Sequence, residues 1–307
     1  MARESSPIDL NAWCERWLDA RPVEVLFERG YLSKVTGLRL GDGRSVVIKM
    51  RPFKKRLPAC FEAQRHLWAV GYPCPEPLVG PDQVGVVAIS VEAYVPGGDE
   101  LTYGPDSPRL FAEALARLVS LAPAAGSLPD LDHRLPWTWW DHDEAGVWPV
   151  PDIDVDMSSD PNSGWLNDIA RRVRRRLEAA RGLPDVVGHG DFETQNVLWI
   201  DRKLHVVHDW DSLISAPEPV IAGICSAVFP GTHGGNESTV GESAEFLEHY
   251  QAARAVRWDK AEYELCWAAG LWVRAFNAKK DAVQGQNAGG VARFAEEAGE
   301  RLRLAGA

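Results

Sequence analysis

One stretch, VVGHGDFETQNVLWIDRKLHVVHDWD over residues 186–211, constrains this chain more than any other. It reads as strand, polar loop, strand, tight turn and strand, with apolar runs near 196–200 and 204–208 and with Asp201 and Lys203 in the turn between them. A chain that folds this way carries three carboxylates, Asp191, Asp209 and Asp211, and one amide, Asn196, to the same end of a small sheet. Carboxylates crowded together repel one another, and a hard divalent cation with oxygen ligands is the usual remedy. Magnesium at such a place suggests phosphate chemistry.

The remainder of the chain divides near residue 96. Residues 22–50 read as a three-stranded antiparallel meander, PVEVLFERG, KVTGLRL and RSVVIKM, with Gly41-Asp42-Gly43 turning the last hairpin. A helix is expected at about 58–70, where Cys60, Ala63, Leu67 and Val70 share a face before Gly71, Pro73 and Pro75 stop it. VGVVAISVEAYV (84–95) returns to strand, and Pro96-Gly97-Gly98 closes this part as a connector. Beyond it helical periodicity dominates, at 108–121, 163–181, 240–256, 258–279 and 290–304. The expected division is therefore 1–95 and 96–307. In the 163–181 helix Leu166, Ile169, Ala170, Val173, Leu177 and Ala180 form the buried stripe, which leaves Arg171, Arg172, Arg174, Arg175 and Arg176 to a solvated face.

Composition narrows the partners. With 33 Lys and Arg against 44 Asp and Glu the net charge is −11, which disfavours nucleic acid and anionic membrane and favours a cationic ligand. No apolar run is long enough to cross a bilayer, and MARESSPIDLNAW has no basic segment followed by an apolar one, so a cytoplasmic protein is expected. Cys14, Cys60, Cys74, Cys225 and Cys266 are odd in number and form no C-x-x-C pair, which fits reduced thiols. No G-x-S-x-G is present to support a serine hydrolase.

His189-Gly190-Asp191, Asn196 and Asp209-Trp210-Asp211 resemble the HGDxxxxN and DWD motifs of the aminoglycoside phosphotransferase family, relatives of protein kinases that phosphorylate small molecules. Lys49, at the end of VVIKM, resembles the family's phosphate-binding lysine, and Glu62, thirteen residues on, its helical ion-pair partner. Gly71-Tyr72-Pro73-Cys74-Pro75 is similar to the family's GxPxP stretch, so the resemblance spans about residues 22 to 225. It implies an α+β, bilobal, protein-kinase-like fold, with a small antiparallel N-lobe and a larger helical C-lobe. It also implies ATP or GTP as donor with Mg2+ as the metal. Asp191 would then take the proton of the acceptor hydroxyl, while Asn196 and Asp209 hold magnesium. Lys49 would bind the α/β-phosphates with Glu62 holding it extended. The turn from Gly30 through Ser33 to Lys34 would cover the phosphates, and backbone groups at Glu92, Ala93 and Tyr94 would face adenine. His189 is expected to brace the loop, Trp210 to pack beneath it, and Asp211 to bind metal or cap its turn.

Two departures stand out. Where the family carries an acid in a GDPxxDLA-like stretch, this chain has Ser215-Ala216-Pro217-Glu218-Pro219-Val220-Ile221-Ala222, with Glu218 alone nearby, and His208 replaces the usual aliphatic residue before Asp209. The acceptor is less constrained. PWTWWDHDEAGVWPVPDIDVDMSSDP (136–161) holds seven acids, Asp141, Asp143, Glu144, Asp152, Asp154, Asp156 and Asp160, and no Lys or Arg, interleaved with Trp137, Trp139, Trp140 and Trp148. Acids beside aromatic faces suit a polyhydroxylated or cationic ligand; a solvated acidic loop over a tryptophan anchor is the plainer alternative. The glycine and terminal glutamate of a calcium loop are missing. Asp152, Asp154, Asp156, Glu242 and Trp272 are the acceptor candidates, with Glu245, Arg274 and Asn277 beside them. The expected activity is transfer of a γ-phosphoryl group to a hydroxyl of an aminoglycoside-like antibiotic or a metabolite. A catalytically silent nucleotide-binding scaffold is the alternative.

Overall fold

The structure, a computed structural model, describes residues 9–30, 33–159, 161–231 and 237–307. The chain separates into two units, residues 1–97 and 98–307.

The first unit is built on a five-stranded antiparallel sheet with spatial order β1-β2-β3-β5-β4. Its strands are β1 (Pro22–Gly30), β2 (Lys34–Leu40), β3 (Ser45–Pro52), β4 (Pro77–Val84) and β5 (Val87–Ala93). Helix α1 (Leu10–Leu18) buries Trp13, Cys14 and Leu18 against Leu38, Leu40, Val46, Ile48, Ile89 and Val91. Asp9 caps it by accepting from the Asn11 and Ala12 N–H groups, and a nine-residue helix of this kind depends on such packing more than on propensity. The sequence periodicity did not reveal α1. It also missed β4, whose Pro77 and Pro81 argue against a strand; β4 lies at the sheet edge, the place where proline is tolerated. Helix α2 (Leu57–Ala69) turns Leu57, Ala59, Cys60, Ala63, Gln64 and Leu67 inward and ends at Gly71, whose φ of +83° is the left-handed conformation that closes helices.

The second unit holds two small sheets rather than the single one expected. Strand β7 (Asp185–His189) pairs with β10 (Leu213–Pro217), while β8 (Val197–Ile200) pairs with β9 (Lys203–Val207) and with the short β6 (Asp99–Glu100). Six helices complete it: α3 (Ser107–Leu121), α4 (Gly164–Leu177), α5 (Glu218–Val228), α6 (Val240–Arg254), α7 (Lys260–Gln284) and α8 (Ala288–Leu304). Helix α5 reads in sequence as an unbroken apolar run because it is buried all round; only Glu218 of its residues is not buried. It packs on α7 through Gly223 and Gly270. A Cβ on Gly223 would come within 2.0 Å of the Cys266 carbonyl oxygen, so only glycine permits this approach.

Helix α4 buries the expected stripe, but its arginines are not all solvated. Arg174 donates to the His142 carbonyl at 2.9 Å, and Arg176 to the Ala261 carbonyl at 2.8 Å and to Glu264 at 3.0 Å. Their planar heads tie α4 to the 142–147 segment and to α7. No helix among the described residues is long and apolar enough to cross a membrane. All five cysteines are buried, and none forms a disulfide.

Candidate active site

The loop between β7 and β8 is fixed by hydrogen bonds to its own near neighbours. The Asp191 N–H donates to His189 Nδ1 at 3.1 Å, and His189 Nε2 lies 3.0 Å from the His208 carbonyl oxygen. The imidazole therefore accepts through Nδ1 and donates through Nε2, a neutral tautomer that ties the loop to the end of β9. Asn196 donates through Nδ2 to the Asp191 carbonyl at 2.9 Å and to Asp191 Oδ2 at 2.8 Å. The Gly190 N–H donates to the Ser212 carbonyl at 2.7 Å. Phe192, fully buried, anchors the loop from below against Phe111 of α3 at 6.1 Å.

Two braces come from farther along the chain, and neither is an acid. The Trp137 indole N–H donates to the Gly190 carbonyl at 2.8 Å, and the Cys225 thiol reaches the His189 carbonyl at 3.3 Å from α5. These occupy the two successive carbonyls that precede Asp191. Glu218, the acid nearest the expected position, serves elsewhere: it accepts from Arg254 at 2.7 and 3.1 Å and from the Tyr250 hydroxyl at 2.9 Å, joining α5 to α6.

Burial, and then the charges of Glu193 and Asp209, hold the Asp191 carboxyl well above the usual carboxylate range, against the opposing pull of the Asn196 amide and Lys280. Asp209 has φ 61° and ψ 48°, a left-handed conformation unusual outside glycine. Its Oδ2 accepts from Ser212 Oγ at 2.7 Å. Because Asn196 directs its nitrogen at Asp191, its Oδ1 is left as an oxygen donor, and the Asp209 carboxylate offers oxygens of the same hard type. Among the described residues no three His, Cys, Asp or Glu side chains form a ready metal cage. A sparse oxygen set of this kind fits magnesium, which keeps coordination positions for phosphate and water.

In the first unit Lys49 does not pair with Glu62. Lys49 Nζ lies 2.8 Å from Glu92 Oε1, with both side chains nearly buried, whereas Glu62 is half exposed and bonds Arg65 one turn along α2. The pairing follows from the sheet register: Lys49 stands opposite Ser90 and Val47 opposite Glu92, so Lys49 and Glu92 are diagonal neighbours on one face. The residue that α2 contributes instead is Gln64, which donates through Nε2 to Glu92 Oε2 at 3.1 Å and to the Pro75 carbonyl at 3.0 Å. The expected adenine-facing backbone donors are also committed within the sheet. The Ala93 N–H donates to the Glu76 carbonyl at 2.8 Å and the Tyr94 N–H to the Ser45 carbonyl at 3.0 Å. Gly30 and Ser33 flank the β1–β2 turn; Tyr31 and Leu32 lie outside the described residues.

Of the acceptor candidates, Trp272, Glu242 and Asp156 have partners of their own in the structure. Trp272 is fully buried, packed on Trp148 at 5.5 Å, and belongs to the core. Glu242 is engaged in the capping box that starts α6 and accepts from the Tyr103 hydroxyl. Asp156 closes a local turn on the Ser158 N–H at 2.9 Å and Oγ at 2.6 Å. Asp154 is exposed, Asp152 is half-buried, and Asp160 lies outside the described residues. Trp148, whose indole donates to Asn167 at 2.7 Å, and Trp140, stacked on His133 at 4.1 Å, make this segment a loop anchored by tryptophans. The acids whose charges act on Asp191 are Asp209 and Glu193, two residues past it; Glu237, whose carboxyl burial raises, pairs with Arg274 at 2.9 Å. Glu193 stood in plain view inside the HGDxxxxN run.

The sequence matches the model of the phosphotransferase enzyme family, designated APH, over residues 25–217. None of the curated proteins compared with the chain matches it. Among solved structures it is similar to the amicoumacin kinase hAmiN in complex with AMP-PNP, Ca2+ and Ami, with TM-score 0.66 at 14% identity over 96% of this chain and 93% of that one. An aminoglycoside phosphotransferase from Alicyclobacillus acidocaldarius aligns with TM-score 0.55 at 15% identity, over 99% and 96% of the two chains. A choline/ethanolamine kinase family protein from Mesorhizobium loti aligns with TM-score 0.54 at 15% identity, over 91% and 88%. At these identities the likeness is one of fold, an antiparallel sheet unit followed by a helical one. The sequence match, which takes in Lys49, Asp191, Asn196 and Asp209 together, makes the chain a member of the phosphotransferase enzyme family.

Proposed function

We propose that this protein transfers the γ-phosphoryl group of ATP to a hydroxyl of a small molecule. The observation that carries the reading is the catalytic loop: a half-buried carboxylate of raised proton affinity, held by the amide of Asn196, beside a second carboxylate in a turn of left-handed backbone. Asp191 accepts the proton of the acceptor hydroxyl as the new O–P bond forms and the bond to the β-phosphate oxygen breaks, releasing ADP. Its proton affinity, raised first by burial and then by the charges of Glu193 and Asp209, suits that task. Asn196 and Asp209 are the residues that hold magnesium, which when bound neutralises charge on the phosphates. Lys49 contacts the α/β-phosphates. Gly30 and Ser33 are the residues assigned to cover them.

The acceptor we assign is a hydroxylated molecule that carries an amine, in keeping with the net charge of −11 and with Glu193, whose charge reaches Asp191. We place the reaction in the cytoplasm, where ATP is at hand, in keeping with five unbridged buried cysteines. The test is ADP release in the presence and absence of magnesium, screened across aminoglycosides, other hydroxylated antibiotics, choline, homoserine and sugars. Magnesium-dependent ADP release with an amine-bearing alcohol is expected. A chain that binds Mg·ATP yet turns over none of these compounds would fit the silent scaffold instead.

A further inference from the structure

We infer that Glu92, on strand β5, is the positioning residue for the phosphate-binding Lys49, and that Glu62 of helix α2 plays no part in holding it. The inference rests on the phosphotransferase reading above. Lys49 Nζ and Glu92 Oε1 lie 2.8 Å apart, and the side chains are 11% and 7% exposed, so the pair is shielded from solvent competition. The second oxygen of Glu92 is held by Gln64 Nε2 at 3.1 Å, and Gln64 is fixed in turn by the Pro75 carbonyl at 3.0 Å. Both oxygens of Glu92 thus have partners, and its carboxylate is fixed from two directions. Glu62, at 48% exposure, has Arg65 one turn along α2 as its partner instead.

The consequence concerns how the lysine is set. A lysine held by a carboxylate on a neighbouring helix is lost whenever that helix rotates away. Lys49 is held instead by a strand hydrogen-bonded to its own, with Val47 opposite Glu92 and Lys49 opposite Ser90, so the two move as one sheet. Its extended position is built into β3 and β5, and α2 participates only through the neutral amide of Gln64. Glu92 also precedes Ala93 and Tyr94, whose N–H groups are tied to Glu76 and Ser45, so the same rigid strand end sets both side chain and backbone.

The experiment compares binding of Mg·ATP and of adenosine by calorimetry to wild type, Glu62→Gln, Glu92→Gln and Glu92→Asp, with thermal melts alongside. Adenosine lacks the phosphates that Lys49 contacts. Glu92→Gln should weaken Mg·ATP at least tenfold while adenosine affinity stays within twofold, and Glu62→Gln should leave both unchanged. Glu92→Asp keeps the buried charge and so serves as the fold-preserving control, and its shorter reach should still cost Mg·ATP about threefold. Equal losses for ATP and adenosine would make Glu92 a merely structural residue and overturn the inference. So would Mg·ATP affinity that survives both Glu92 substitutions but falls in Glu62→Gln. Wild type without measurable Mg·ATP affinity would overturn the phosphotransferase reading and this inference together. Wild-type affinity shared by the Glu92 variants would overturn this inference alone.

Discussion

Lys49 and Asp191 are fixed in opposite ways. Asp191 sits in a loop whose principal supports, His189, Glu193 and Asn196, are within five residues of it. Lys49 depends on a carboxylate two strands later in the chain, brought beside it only by sheet register. A support that is local in sequence travels with its motif, and spacing finds it. A support that arrives through tertiary pairing is invisible to spacing, which is why thirteen residues along the chain pointed to Glu62 when the sheet delivers Glu92.

The largest effect should come from Asp191. Asp191→Asn removes the base and leaves the loop's backbone bonds in place, so kcat should fall about 10³-fold while Mg·ATP affinity stays near wild type. Steady-state kinetics with calorimetry check this, and parallel losses in both would mean that the loop does not stand independently of the charge it carries. Asp209→Asn should abolish the magnesium dependence of nucleotide binding, leaving residual affinity equal with and without the metal. Unchanged Mg·ATP binding would remove Asp209 as a metal ligand.

The nonlocal braces of the catalytic loop sharpen the contrast. Trp137→Phe deletes the hydrogen bond to the Gly190 carbonyl, 2.8 Å in wild type, and keeps most of the ring. A loss of about 1 kcal/mol of loop positioning corresponds to about a fivefold fall in kcat, with KM for ATP unaffected. Cys225→Ala, which removes the 3.3 Å thiol contact to the His189 carbonyl, should act in the same direction. Full kcat in the Trp137→Phe, Cys225→Ala double variant would show that near-neighbour bonds suffice.

The smallest effect concerns the acid-rich segment. The hydrogen bond from His133, at 3.0 Å, holds the Asp141 carboxyl below its usual range in spite of partial burial. Around pH 4 the unfolded chain therefore binds more protons at this group than the folded one, so its contribution to stability is present above that pH and is lost as pH falls through the lowered folded value. Wild type should melt about 2 °C above Asp141→Asn at pH 7, and the gap should close toward pH 3. A gap that persists at pH 3 would assign the difference to packing on Trp140.

Much of the fold was legible because its signals are periodic. The Gly41-Asp42-Gly43 hairpin, the α2 face and the α4 stripe follow from apolar spacing and turn chemistry, and the motif run placed Asp191, Asn196 and Asp209 in one loop system. Strand β4 escaped because its prolines obey an edge-strand exception, and α5 because complete burial erases periodicity. The acceptor side carries no comparable periodic signal. Residues 141–156 are rich in acids, but charge in a sequence says nothing of direction, and Asp156 and Asp141 turn out to spend theirs on Ser158 and His133. Glu242 spends its own on a helix cap.

The central claim is that Asp191 directs a phosphoryl group from ATP to a hydroxyl, and following the phosphoryl group itself tests it most directly. ATP labelled at the γ-phosphate, incubated with magnesium, an amine-bearing alcohol that supports ADP release, and either wild type or Asp191→Asn, should transfer label to the alcohol only with wild type. Label recovered solely as inorganic phosphate, or transferred equally by Asp191→Asn, would contradict the account.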